Sequence, residues 1–498
     1  MTAQPYVFVD FGAVRIQSYL SRTPELRGRR AASDALARAT SPEAVGKRIG
    51  TLAKINEDAG DADGVVSLVF APVEGEDPEV RVRQLQDRVF AHLRKALPGA
   101  EFQSAWGTGA SYLSAYAREI KPRFDAGEVR YDLPPAAEFP LALPCEGCHT
   151  DPAVGEEPIT GETKLLCPDC SMRNVARRSS AADDRSPEGR LRDSLPVTHP
   201  APEDFTALAR LSGPVKGGNH LATVFIDGNA LGQFFTALAS DSSVSARAKA
   251  RVSRAVSDAT REALTTATLL LPLTDRLDQV CVVPHVVGGD DVLVSVPADQ
   301  AWHFVLGFLD EFGTLVRNGV AEVLGDERPM LTITASAGVV FAHASHPFNL
   351  VVESAGQRLK EAKNAVRGQA ASVQWLDITA DGTEAPRHQP LLLSDLRRNG
   401  KPTEAAAALS RLAGVPASHR STLAEAMRQG DWVTAATIAQ RVGRHMDAVR
   451  PFLPPLDRST DRSAGGPADS SDGTPGDGPP TGIDLGTALG LARWWPCA

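Results

Sequence analysis

The sequence predicts an α+β protein built on two ferredoxin-like sheets, and three observations lead there. Short apolar strands alternate with amphipathic helices over most of the 498 residues. An order β-α-β-β-α-β with one further helix–strand unit is legible between Leu221 and Leu376. A strand ending in Asp-x-Gly or Asp-Gly and followed by a helix occurs twice, at Asp10 and at Asp227, which implies two related folds.

In the first segment Tyr6 to Asp10 reads as a strand, followed by a helix through Val14, Ile16, Tyr19 and Leu20. A strand from Gly64 to Phe70, a helix from about Pro78 to Leu97 and a strand around Phe102 to Trp106 complete it. In the third segment the strands are Leu221 to Ile226, Val280 to Val287, Val292 to Val296, Leu331 to Phe341 and Ser372 to Leu376. A helical region runs from Ala230 to about Leu271, with further helices from Ala298 to Arg317 and from Leu350 to Arg367. Beyond 390 the pattern is helical, clearest at Thr403 to Leu412 and Ser421 to Gln429. The expected divisions are 1–130, a Pro- and Gly-rich insertion 131–200, 201–385, a helical part 386–456, a disordered linker 457–483 and a short apolar tail 484–498. The tail, Leu485 to Trp495, has the length of a docking helix.

Hydrophobic residues make up 42% and charged residues 23%, as in a globular soluble protein. The net charge of −9 excludes a chain that binds nucleic acid over its whole surface, so RNA would have to meet a local basic patch or a basic partner. No apolar run reaches the ~20 residues that span a bilayer, and a cytoplasmic location without membrane contact is expected. The basic run Arg22, Arg27, Arg29 and Arg30 reads equally as an RNA or phosphate contact and as a solvated face.

Four of the six cysteines form two pairs, Cys145-x-x-Cys148 and Cys167-x-x-Cys170, separated by residues 149–166. Thiolates on two turns at this spacing suit a closed, structural Zn²⁺ site, to which His149 is unnecessary. Cys281 is expected in the core, and Cys497 in the tail.

Gly288-Gly289-Asp290-Asp291 joins two strands. Two glycines permit positive φ and close phosphate approach, and two adjacent carboxylates offer hard oxygen ligands for Mg²⁺ or Mn²⁺. Asp227, at the end of a strand expected beside this hairpin, is placed to share the metal with Asp290, and Gly228 frees backbone for phosphate. The plainer alternatives are a surface turn and a helix cap at Asp227 or Asn229. Lys360 and Lys363 face nearly the same side of the following helix, and either could reach a triphosphate or simply be solvated.

These motifs, taken together, resemble the large polymerase/cyclase subunit of type III CRISPR effector complexes. The resemblance rests on Ile226-Asp227-Gly228-Asn229-x-Leu231-Gly232, the Gly-Gly-Asp-Asp turn followed by Val292-Leu293, Ser336-Ala337-Gly338-Val339 with Ala342-His343, Ala362-Lys363 and the four-cysteine insertion. It implies two nucleotidyl-cyclase-like palm domains, the first inactive, over about residues 6 to 380. It also implies joining of ATP into cyclic oligoadenylate messengers once target RNA is sensed, with guide RNA and other subunits as partners. Asp227, Asp290 and Asp291 would then hold metal, Gly228, Gly288 and Gly289 would shape the nucleotide site, and Lys363 would bind triphosphate. Ala105 to Thr108 would stand where the first palm lacks the carboxylate turn. The chain opens at the palm strand and has no His-Asp dipeptide, so single-stranded DNA cleavage is not expected. A diguanylate- or adenylyl-cyclase-like enzyme and a catalytically silent RNA-binding scaffold are the competing readings.

Overall fold

The computed structural model describes residues 5–60, 63–73, 75–134, 142–159, 161–176, 185–196, 199–212, 218–241, 243–271, 279–325, 333–382, 388–398, 400–428, 445–453 and 481–496. The 457–480 part of the expected linker and Cys497 lie outside them. Among the described residues no helix is long and apolar enough to cross a membrane.

Alternation along the first strand, β1 (Tyr6–Val14), sends Val7, Val9 and Phe11 to one core and Phe8 to another. Its sheet also contains β2 (Lys54–Ile55), β3 (Val65–Phe70), β4 (Glu101–Gly109) and β5 (Arg130–Asp132), in the order β2-β3-β1-β4-β5. Helices α1 (Ile16–Leu20), α2 (Leu26–Ala39) and α3 (Pro42–Ile49) connect β1 to β2, and α4 (Pro78–Ala96) connects β3 to β4. Ser41 and Asp77 cap α3 and α4, each ahead of a proline in the first turn, which places both starts where the sequence signals them. Short helices α5 (Tyr112–Ala115) and α6 (Lys121–Ala126) flank a π turn, and Tyr112, Ala115 and Ile120 of this stretch pack on Phe8. Val14 belongs to β1 rather than to the expected helix.

The insertion carries the hairpin β6 (Gly155–Ile159) and β7 (Glu162–Leu166), α7 (Pro168–Ala176) and α8 (Pro187–Ser194). Helix α9 (Phe205–Arg210) then leads into the second sheet.

That sheet has the order β13-β12-β11-β8-β10-β9. Its strands are β8 (His220–Gly228), β9 (Val283–Gly288), β10 (Asp291–Pro297), β11 (Ala335–His343), β12 (Ser372–Asp377) and β13 (Leu391–Leu392). β8 is antiparallel to β10 and β11, while β11 runs parallel to β12. The inner order β11-β8-β10-β9 repeats β4-β1-β3-β2 of the first sheet, so both expected ferredoxin-like units are present. The helical region expected from Ala230 consists of two helices, α10 (Leu231–Ser240) and α11 (Ala246–Leu269), and Ser245 caps the second start by accepting from Ala248 N–H. α11 and α12 (Ala301–Leu324) cover one face of the sheet, and α13 (Phe348–Val366) covers the other.

Gly338 is where α13 meets β11, and a Cβ there would fall on Ala355 O and Leu359 N. Backbone cannot yield as a side chain does, so Gly338→Ala should cost at least about 2 kcal/mol. Urea unfolding checks this, and an unchanged midpoint would refute the close approach.

The C-terminal tail docks as the helix Leu485–Ala492. Trp494 stacks on Phe341 at 5.5 Å and donates its indole N–H to Asp377 Oδ2 (2.7 Å), and Trp495 packs on Trp302. The tail is therefore part of the second sheet's core, at the end of β11 remote from Asp227.

Candidate active site and metal centre

Asp291 pairs with Gly288 across β9 and β10, leaving Gly289 and Asp290 as a two-residue loop. Of the two glycines that permit positive φ, Gly289 uses it (61°), the pattern of a II′ hairpin turn. Gly228 is small for another reason: a Cβ there would run into Leu231 and the Asp290 carboxylate. Its N–H donates to Asp290 Oδ2 (3.1 Å). Val292 pairs with Ile226, so Asp291 and Asp227 stand opposite one another as the register continues. Lys363, from α13, donates to Asp227 Oδ2 and to Gly228 O (2.8 Å), whereas Lys360 is exposed.

Burial, then the hydrogen bond and like charge of Asp227, pushes Asp290 up to about 7. Burial and the charges of Asp227 and Asp290 push Asp291 up to about 8, with Lys363 opposing both shifts. Three carboxylates with one lysine are short of positive charge, which fits a divalent cation bound by hard oxygens. Their oxygens do not all lie within 4.8 Å of one another, a convergence that among the described groups of three or more possible ligands only the four cysteines reach.

Sheet register also shows what the first domain lacks. In the first domain the turn into β3 is Gly64-Val65, without a carboxylate pair. Asp10, the residue the repeated strand pattern sets beside Asp227, pairs with Ser67 and accepts from Ser67 Oγ and Tyr112 Oη. The comparable turn is the β2–β3 connection rather than Ala105 to Thr108, which lie in β4, the counterpart of β11. Arg15 and Ala230, both left-handed (φ 53° and 58°), start the helix after β1 and β8 respectively. No residue preference announces such a conformation at Ala230.

Most of the basic run is engaged within the protein, and Arg27 is exposed. Arg22 pairs with Asp151 (2.8 Å), Arg30 with Glu188, and Arg27 approaches Glu203 (3.4 Å). Arg29 is buried, with its guanidinium 3.6 Å from the centroid of the Phe348 ring and its Nε donating to Thr23 O. Beside it Ser33 Oγ donates to His285 O in β9. Helix α2 thereby touches both the hairpin strand and the first turn of the helix carrying Lys363. Alternating arginines in a basic run gave no sign of this.

Cys145, Cys148, Cys167 and Cys170 bring their sulfurs within 4.8 Å of one another, and His149 stays outside the cluster. Gly147 N–H points to Cys145 Sγ and Cys170 N–H to Cys167 Sγ (3.3 Å each), donors that favour thiolates. Four converging soft ligands fit Zn²⁺. Asp169, inside the second pair, is wired into the first domain: Tyr19 Oη (2.8 Å) and Gly99 N–H (3.2 Å) donate to its carboxylate, as does Arg173 Nε (2.8 Å) from its own helix. Cys281 is buried in the core, as expected.

Residues 220–371 match the family model for Cas10/Cmr2, second palm domain, a span that holds Asp227, Gly288 to Asp291 and Lys363. Among curated proteins no sequence match is found. In fold the chain is similar to the Csm1–Csm4 cassette in complex with cA4, at 13% identity and a TM-score of 0.55, over 99% of this chain and 70% of the other. It is similar to the same cassette in complex with one ATP (12% identity, TM-score 0.53, 99% and 70%). The Csm1–Csm4 subcomplex in the type III-A CRISPR-Csm interference complex matches alike (13%, 0.52, 99% and 70%). The resemblance to the large subunit of type III CRISPR complexes is borne out, and at these identities the solved structures speak to fold alone.

Proposed function

We propose that this chain is a Mg²⁺-dependent nucleotidyltransferase that joins ATP into cyclic oligoadenylate within a type III CRISPR RNA-sensing complex. The observation that carries the reading is the meeting of Asp227, Asp290 and Asp291 with Lys363 at one end of the second sheet, while the turn into β3 of the first sheet, Gly64-Val65, has no carboxylate pair. The solved relatives in complex with ATP and cA4 lend it support.

Asp227, Asp290 and Asp291 would hold Mg²⁺ or Mn²⁺, and Gly228 and Gly289 would leave room for phosphate. When bound, the metal would neutralise the triphosphate and activate the attacking hydroxyl. Lys363 would give up Asp227 to the metal and turn its ammonium to the triphosphate, a point charge on a flexible stem suited to that exchange. The first domain would close the nucleotide cleft without contributing a carboxylate. The four cysteines would hold a structural Zn²⁺. Guide and target RNA with other effector subunits would be the partners, in the cytoplasm. We assign 1–130 to the inactive palm, 131–200 to the zinc insertion, 201–385 to the catalytic palm, 386–456 to a helical domain, 457–483 to a linker and 484–498 to the tail.

The test is incubation of the chain, with and without RNA and subunits, with ATP or GTP and Mg²⁺ or Mn²⁺, followed by mass spectrometry of the products. Cyclic oligoadenylate supports the proposal. Cyclic di-GMP would replace it with a diguanylate-cyclase reading, and RNA binding with no product under any condition would replace it with a scaffold.

The raised carboxyls make a further prediction. Folded Asp290 and Asp291 keep protons that the unfolded chain releases above about pH 4, so metal-free stability falls as pH rises from about 4 and levels off once both have ionised, above about 8. A divalent cation should return that stability. The Mn²⁺-induced rise in melting temperature should therefore be much larger at pH 8.5 than at pH 6. An equal rise at both would exclude these aspartates as the ligands.

A further inference from the structure

Asn229 lies two residues beyond Asp227 and is only 1% exposed. Its backbone N–H donates to Thr334 O (2.7 Å), and its Nδ2 donates to Thr334 Oγ1 (2.9 Å) and Ala370 O (2.8 Å). Because a backbone carbonyl only accepts, the bond to Ala370 fixes which way the amide points. Oδ1 accepts from Ser336 Oγ (3.0 Å), and Ser336 is the β11 residue paired with Asp227. Ser336 Oγ also lies 2.9 Å from Ser372 Oγ, which is 2.9 Å from Ala362 O, the residue before Lys363. Two hydroxyl protons serve these three contacts, so at most two are hydrogen bonds at any moment, and the two serines pack in line between the turn after Asp227 and the helix that carries the lysine.

The Asp227–Lys363 pair cannot set this spacing alone. Its side chains are 32% and 25% exposed, and pairs near solvent contribute only about 0–1 kcal/mol. A buried amide whose partners would be stranded by its loss is a stronger constraint. It ties the strand ending in Asp227, the start of β11 and the connection after α13. On the other side of the same turn, Gly368 packs 3.6 Å from Ala230 N through the position of its absent Cβ, and its N–H returns to Lys363 O (3.2 Å).

We propose that Asn229 is a positioning residue, which through Ser336 and Ser372 holds Asp227 and Lys363 at ion-pairing distance. It touches neither metal nor nucleotide in this role. The test reads Lys363 directly, as its acylation rate in the full chain by peptide mass spectrometry, with exposed Lys360 on the same helix as reference. Asn229→Ala should raise Lys363 labelling several-fold relative to Lys360, as should Asp227→Asn. The double variant should label no faster than Asp227→Asn alone, because both act through one ion pair. Ser336→Ala, which removes only the bond to Oδ1, is run alongside and should raise labelling in the same direction. Unchanged labelling in folded Asn229→Ala or Ser336→Ala, or additive rates in the double variant, would overturn the proposal. The assay needs neither ATP nor metal. A chain that makes no cyclic product yet shows non-additive labelling would refute the nucleotidyltransferase reading and leave this one standing.

Discussion

Asp290→Asn is expected to lower product formation by about 10²–10³-fold or more while making the metal-free protein more stable at pH 8. The two effects share one cause. Asp290 is held against Asp227 in a poorly solvated turn, and its carboxyl is pushed up to about 7. Asparagine keeps an oxygen for the Gly228 N–H and removes the like charge. The native protein tolerates that charge because a cation is meant to meet it, a conflict typical of functional sites. Product formation by mass spectrometry and thermal melting with and without Mn²⁺ check both signs. A variant that loses activity and also loses metal-free stability would show that Asp290 serves the fold instead.

Asp169→Ala is expected to destabilise the chain by about 3–5 kcal/mol, the range for stranding one partner of a buried ion pair. Asp169 and Arg173 are 3% and 2% exposed in their side chains. Arg173 further donates to Tyr19 O (2.9 Å) and lies 4.6 Å from the Tyr19 ring centroid. Burial and the Asp169 charge together hold the Tyr19 hydroxyl well above its ordinary value, so it stays a donor. Because Asp169 sits between Cys167 and Cys170, removing zinc with a chelator should loosen the same contacts. The double change Asp169→Leu with Arg173→Met should recover part of the loss, since no charge is then stranded. Urea unfolding and metal analysis of the purified chain measure both. A single-variant loss under about 1 kcal/mol, or freshly purified protein without zinc, would sink the strut or the zinc site respectively.

The four-cysteine cluster was legible because close cysteine pairs restrict geometry locally. The Gly-Gly-Asp-Asp hairpin was legible because turn chemistry leaves few alternatives for a two-residue loop. Strand ends were less so: β9 starts at Val283 rather than Val280, since apolar residues suit a buried coil as well as a strand. The choice between Lys360 and Lys363 needed the placement of α13, as periodicity alone puts both on nearly one side. The arginine run stayed open between two readings because charge composition does not say whether a helix face meets water, RNA or another sheet. Arg29 finds Phe348 more than 300 positions away, a contact no local pattern encodes.

The sequence by itself determined two repeated units, a thiolate cluster and a carboxylate turn, because periodicity, cysteine spacing and glycine placement act over a few residues. Only the tertiary structure decided that the first sheet's counterpart of the carboxylate turn is the connection between β2 and β3, which ends in Gly64-Val65. It also decided that Lys363 meets Asp227, that the Asn229 amide bonds Thr334, Ser336 and Ala370 rather than capping a helix, and that Trp494 completes a core begun some 270 residues earlier. These relations depend on strand register and on burial between distant segments, where packing sets the partner and local propensity has no say.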